Sequence, residues 1–167
     1  MIDEIDLVLL TVEHARWRRL CARLEAIADA LPTLPSLVEI AALRAQLREA
    51  FPEGLQGAEF PMRHLFNRES DEIPARRMLD RLCQRRAMLA VQAQDLADMI
   101  GAEAAGRFTP DTLGYMLRNV FVGCSEAIAE ELLALLLVAP KRLTTDARAY
   151  LLDRIQGDES AVSPPAI

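Results

Sequence analysis

The stretch from Asn119 to Pro140 constrains the fold most, because it joins a carboxylate-bearing first half to an almost purely aliphatic second half. Glu126 and Glu130 are four residues apart, so on a helix they project from the same face. Apolar side chains flank them there, namely Val122, Leu133 and Leu137. A further apolar face carries Leu117, Phe121, Cys124, Ile128, Leu132 and Leu135. A helix that is apolar on two sides is typical of a central helix or of a subunit interface.

Composition favours an all-α protein. Apolar residues make up 51% of the 167 residues and aromatic residues only 5%, while Leu, Ala, Arg and Glu, which are good helix formers, dominate. A chain of this length forms one domain with a sizeable core. We expect that domain over residues 1–156 and a disordered tail over 157–167. The net charge of -6 argues against nucleic acid as a partner.

Prolines, glycines and capping residues divide the chain into helices. The expected segments are 5–31, 36–51, 54–68, 74–100, 110–138 and 145–155. Ser36 with Glu39 predicts a capping box, and Thr109 is the expected N-cap before Pro110. Residues 51–61 hold two prolines and two glycines, which predict a kink in the second helix. Four long helices with short connections predict an antiparallel up-down-up-down four-helix bundle with a short C-terminal helix.

Two polar residues interrupt otherwise apolar helical stripes. The first helix carries Leu7, Leu10, His14, Trp17, Cys21, Leu24, Ala28 and Leu31 on one stripe. The third carries Leu79, Leu82, Arg86, Leu89, Ala93, Leu96 and Ile100. This periodicity predicts that His14 and Arg86 point toward the interior.

Cysteine usage and the ends of the chain predict a cytoplasmic protein. Cys21, Cys83 and Cys124 form no CxxC pair, so zinc-finger and thioredoxin-like sites are excluded and free thiols in a reducing compartment are expected. The segment Met1 to Asp6 is acidic where a signal peptide needs basic residues. The apolar run from Leu132 to Pro140 is too short to span a bilayer, so no membrane association is expected.

Three segments resemble helices of the hemerythrin-like (HHE cation-binding) family, a four-helix bundle whose interior holds two irons. VEHARWRRLCARLEAI is similar to its first helix, MLDRLCQRRAMLAVQAQDL to its third, and SEAIAEELLALLLVAPKRLTTDA to its fourth and the segment after it. The resemblance places His14 at the first metal ligand and Arg86 at a ligand histidine. It places Glu126 at another histidine position and Glu130 at a carboxylate ligand. The second helix departs most, although a small shift brings Glu59 to a ligand position.

Counting histidines weighs against retained iron. The chain has only two, His14 and His64, so a five-histidine di-iron site cannot be assembled. A buried guanidinium needs carboxylates, and the fourth helix offers them. We therefore predict a buried polar cluster of His14, Arg86, Glu126 and Glu130 in place of the metals. The predicted protein is a non-enzymatic interaction or regulatory module without cofactors, self-associating as a homodimer or binding a protein partner.

Two alternatives stay open. The first is a metal- or small-ligand-binding sensor that uses His14, Glu59, Glu126 and Glu130 to hold iron or zinc. In the second, Glu126 and Glu130 lie in solvent, which leaves Arg86 without its predicted partners. An enzyme on this bundle is not expected, because the sequence shows no acid–base pair or nucleophile constellation.

Overall fold

The protein is all-helical in a computed structural model that describes residues 2–52, 61–66, 73–101, 108–138 and 140–161. Its helices are α1 (Glu4–Ala30), α2 (Leu37–Ala50), α3 (Pro61–Leu65), α4 (Ile73–Met99), α5 (Pro110–Val138) and α6 (Thr145–Ala161). Within the described residues the only β-type pairing is an isolated bridge between Ile2 and Leu143.

Side-chain caps fix the starts of the helices. The predicted capping box of α2 is confirmed, because Ser36 accepts a hydrogen bond from the Glu39 amide and Glu39 accepts one from the Ser36 amide. Thr109 Oγ1 likewise accepts from the Thr112 amide at 3.2 Å, with Pro110 as the first residue of α5. Asp3 caps α1 with a further capping box, in which the Asp6 side chain accepts from the Asp3 amide. Each cap satisfies amides that a helix leaves without intrahelical partners.

The structure departs from the predicted segments at two places. The predicted segment 54–68 is represented by α3, and the expected kink lies largely over residues 53–60, outside the described residues. The final helix continues to Ala161 instead of ending near Ile155, so part of the expected tail is helical. Residues 162–167 lie outside the described part of the chain.

The core forms where α1, α2, α4 and α5 meet. Helix α1 packs against α5, α5 against α4, and α4 against α2, with α6 covering α1 and α5. The apolar residues predicted for the α4 stripe are all buried, and those of α1 are buried except Cys21 and Leu31, which are half-buried. Phe121, which belongs to the apolar face of α5 with Leu117 and Cys124, is also only half-buried. Since these stripes follow the helical repeat, the packing places residues 14 and 86 in the interior.

The N-terminal residues tie the two ends of the fold together. The Ile2 amide donates to the Arg142 carbonyl at 2.6 Å, and the Thr144 amide donates to the Ile2 carbonyl at 3.0 Å. Tyr150 of α6 hydrogen-bonds Thr11 of α1 at 3.2 Å. These bonds hold α6 against the start of α1. Among the described residues, no helix combines the length and the apolar character that crossing a membrane requires.

A buried arginine–carboxylate cluster as the candidate site

Four side chains from three helices meet in the interior and are called the central cluster: Glu13 and His14 of α1, Arg86 of α4 and Glu131 of α5. His14 is 2% exposed and Glu131 1%, and both are surrounded by apolar core residues. The Arg86 side chain is 15% exposed and that of Glu13 is 31% exposed. The cluster therefore reaches from the centre of the protein toward the surface along Arg86 and Glu13.

Glu131 is the anchor of the central cluster because both of its oxygens accept hydrogen bonds. Arg86 Nε donates to Oε1 at 2.6 Å and Arg86 Nη2 donates to Oε2 at 2.8 Å, which is a bidentate pair. His14 Nε2 lies 2.8 Å from the same Oε2. Since an ionised carboxylate only accepts, the hydrogen of this bond belongs to His14 Nε2. One buried carboxylate thus joins α1, α4 and α5.

The other edge of the Arg86 guanidinium is occupied by Glu13. Arg86 Nη1 donates to Glu13 Oε1 at 2.9 Å, and Arg86 Nη2 donates to Oε2 at 2.8 Å. The Trp17 ring lies 4.7 Å from the Arg86 guanidinium carbon, and the His14 ring is 6.4 Å from that of Trp17. A guanidinium over an aromatic face gains a cation–π attraction as well as shielding from water. Arg86 is therefore held on two edges and on one face.

The charges of the cluster stabilise each other against the cost of burial. For Glu131, burial by itself raises the pKa, but the hydrogen bonds and charges of Arg86 and then His14 outweigh burial and hold the pKa below its ordinary value. For Arg86, burial by itself lowers the pKa, while hydrogen bonds and charges of Glu131 and Glu13 raise it above its ordinary value. Glu131 is thus an ionised acceptor with its oxygens engaged, which suits it for holding helices together and not for donating a proton.

The predicted partners of Arg86 differ from those in the structure, where Glu126 and Glu130 lie on the flank of α5 that faces α4. Glu126 is 56% exposed and pairs with Arg85. Glu130 is 28% exposed, lies 3.3 Å from Arg81 and 3.8 Å from Arg85, and neither carboxylate contacts Arg86.

The physical reason for this correction is helical phase. Successive helix residues are rotated by about 100°, so the carboxylate at 131 faces the core when that at 130 does not. Glu59, the further ligand candidate, lies outside the described residues.

A signal for Glu131 was present in the sequence. The buried positions 117, 120, 124, 127, 131 and 134 of α5 alternate in steps of three and four, which is the spacing of a core-facing stripe. Glu131 is the one charged residue on that stripe. If the core-facing stripe of α5 is counted from Leu117 by this spacing, it includes Glu131 and leaves out Glu126 and Glu130.

The donor set does not fit an iron site of the kind that the resemblance implies. Among the described residues, no group of three or more His, Cys, Asp or Glu side chains is arranged to hold a metal ion. More directly, the Arg86 guanidinium lies between Glu13 and Glu131 and uses oxygens that a metal would need. A fixed positive charge beside those oxygens also repels a cation.

The first test of the central cluster removes the positive charge of Arg86. Arg86→Met leaves Glu131 buried without its counter-charge, and we expect the free energy of unfolding to fall by about 3–5 kcal/mol. Arg85→Met is the matched control, because Arg85 is the adjacent residue and its partner Glu126 is exposed. That control is expected to cost less than about 1 kcal/mol. Denaturant unfolding measures both, and equal losses would contradict the central role of Arg86.

The second test uses pH. Because folding lowers the pKa of Glu131 from its ordinary value of 4.5, its contribution is complete above that pH and is lost as the pH falls through the lower folded value. Glu131→Gln should therefore be much less stable than the natural protein at pH 7, with a gap that narrows below pH 4.5. Denaturant midpoints across this range measure the gap. For exposed Glu126→Gln we expect little difference at either pH, and a Glu131→Gln gap that does not change with pH would refute the linkage.

Comparisons of the chain with protein-family models, curated proteins and solved structures found no match. Its function is therefore inferred from the central cluster and from the exposed surface of α5.

Proposed function

We propose that this protein is a metal-free hemerythrin-like bundle that acts as a non-enzymatic interaction module and self-associates. The observation that carries the proposal is the guanidinium of Arg86, bound on both edges by Glu13 and Glu131 where the resemblance calls for a metal ligand. A permanent positive charge bridges carboxylates of two helices there, as a bound cation would in a metalloprotein. The polar groups of the interior therefore hold the helices together instead of binding a metal.

The order of the contacts between helices supports an antiparallel four-helix bundle of α1, α2, α4 and α5. Along the contact of α1 with α5, His14 meets Glu131 and Cys21 meets Phe121, so the residue numbers run in opposite directions. Along the contact of α4 with α5, Arg81 reaches Glu130 and Arg85 reaches Glu126, again in opposite order. These orders are those of neighbouring antiparallel helices joined by short connections.

The outer surface of α5 supports self-association. Tyr115, Val122, Leu133 and Leu137, called the α5 strip, point away from the core and are 67%, 44%, 45% and 69% exposed. Three of these four residues belong to the second apolar face that the sequence predicted. Apolar side chains aligned along one outer helix face are a recurrent feature of protein interfaces.

A second copy of the chain is the partner that the charges beside the α5 strip favour. Arg81 and Arg85 lie along one edge of the strip, together with Glu126 and Glu130, so both signs occur on the same flank. In a two-fold dimer each patch meets its own copy, and a patch with both signs can place its arginines against the carboxylates of the partner. A strongly basic or acidic partner would instead meet like charges on half of this edge.

The oligomeric state tests this proposal. Analytical ultracentrifugation of the full chain is expected to show a dimer. Leu133→Glu combined with Leu137→Glu should weaken the dimer by at least about a hundredfold, since burial of each leucine is worth about 1.5–3 kcal/mol and a two-fold dimer carries each substitution twice. Leu37→Glu is the matched control on α2, where Leu37 is 72% exposed, and it should leave the dimer unchanged. A monomeric natural protein at high concentration would rule out self-association.

Metal content tests the other half of the proposal. Protein produced with iron and zinc supplied and then analysed for metals is expected to carry well below one atom per chain, because Arg86 occupies the carboxylate oxygens. One tightly bound atom per chain that is lost in Glu126→Gln with Glu130→Gln would instead favour the sensor function. Normal folding of that double variant, measured by thermal unfolding, is the required control.

A further inference from the structure

Two of the three thiols meet where α1 crosses α5. Cys21 on α1 is half-buried and Cys124 on α5 is fully buried, and each thiol is close enough to shift the pKa of the other. Cys21 Sγ also lies 3.7 Å from the backbone carbonyl oxygen of Phe121. We propose that Cys21 and Cys124 are a peroxide-oxidisable dithiol whose disulfide cross-links α1 to α5.

The backbone geometry favours bond formation between these two residues. A Cys21 sulfur that reaches a main-chain oxygen of α5 shows that the two helices approach closely at this level. Phe121 and Cys124 are three residues apart, so Cys124 lies one turn further along nearly the same side of α5. A disulfide needs its two Cβ atoms within a short distance, and two thiols at the same level of a close helix crossing can reach that distance with little movement of the helices.

The two thiols differ in the way that a nucleophile and a resolving thiol differ. Hydrogen bonds from Cys124 and then Ser125 lower the pKa of Cys21 although burial opposes them. The same contact with Cys21, together with burial, raises the pKa of Cys124. Cys21 is also the thiol that is partly open to solvent. A thiol of lowered pKa that is partly open to solvent and lies beside a second thiol is suited to oxidation to a disulfide.

Hydrogen peroxide can oxidise the two thiols to a disulfide in two balanced steps. The Cys21 thiolate attacks one peroxide oxygen, the O–O bond breaks, and after proton transfer Cys21 sulfenic acid and one water are formed. Cys124 sulfur then attacks the Cys21 sulfur, the S–O bond breaks, and the hydroxyl leaves as a second water with the Cys124 proton. The two sulfurs together lose two electrons, and the peroxide oxygens gain them.

Oxidation would change how firmly α1 is held to α5. The cross-link would connect positions separated by most of the chain, and constraining such a long loop lowers the entropy of the unfolded state. It would also lie along the same helix pair as the bond of His14 to Glu131. The oxidised protein is therefore expected to melt at a higher temperature, and a reductant is expected to reverse the shift.

Peptide mapping tests the proposal on the full chain. After brief treatment with dilute hydrogen peroxide, free thiols are alkylated and the protein is digested with trypsin without reduction. The three cysteines fall on separate tryptic peptides, residues 20–23, 82–85 and 119–141. We expect a linked pair of peptides 20–23 and 119–141. Peptide 82–85 should stay alkylated, because Cys83 contacts Arg63 and not another thiol.

Two variants make the test decisive. Cys83→Ser should still give the linked pair at the natural yield. Cys124→Ser, which keeps a hydrogen-bonding group of similar size, should abolish the link and leave Cys21 sulfenic acid that dimedone traps. The proposal is overturned if Cys21 and Cys124 remain fully alkylatable after peroxide, or if the link that forms involves Cys83.

Discussion

The burial of one guanidinium is the constraint on which the interior of this protein depends. Arg86 cannot be neutralised by giving up a proton, so its place in the core demands carboxylates at fixed positions. Glu131 supplies one from α5 and Glu13 supplies the other from α1, and His14 donates a further hydrogen bond to Glu131. The rotation of three helices about their axes is therefore coupled, because turning any one of them would separate a buried charge from its partner.

Helix α5 divides its circumference among three tasks, and this division underlies the functional proposal. Its inner face carries Glu131 among apolar core residues. One flank carries Glu126 and Glu130, which pair with arginines of α4 in partial contact with water. Its outer face carries the α5 strip, whose apolar side chains have no covering element among the described residues. The buried charge of Glu131 is thus kept apart from the surface proposed for association, whereas Glu126 and Glu130 border that surface.

Much of the fold could be predicted because its signals are local or periodic. The stripes of α1 and α4 repeat at the helical spacing, and the caps at Ser36 and Thr109 lie within a few residues of the amides that they bind. The end of α6 at Ala161 could not be predicted in the same way, since the residues after Ile155 carry no apolar stripe to mark a helix. The apolar periodicity of α1 did not mark Glu13 as a cluster residue, because Glu13 binds Arg86, which belongs to another helix.

The sequence by itself determined that His14 and Arg86 face the interior, because each interrupts an apolar stripe whose burial is favourable. Only the tertiary structure decided which carboxylates meet them. Glu130 and Glu131 are neighbours in the chain, yet a step of one residue turns a side chain by about 100° around the helix. The choice between them rests on the rotation of α5 against α1 and α4, and that rotation is fixed by packing across the whole core and not by any local pattern.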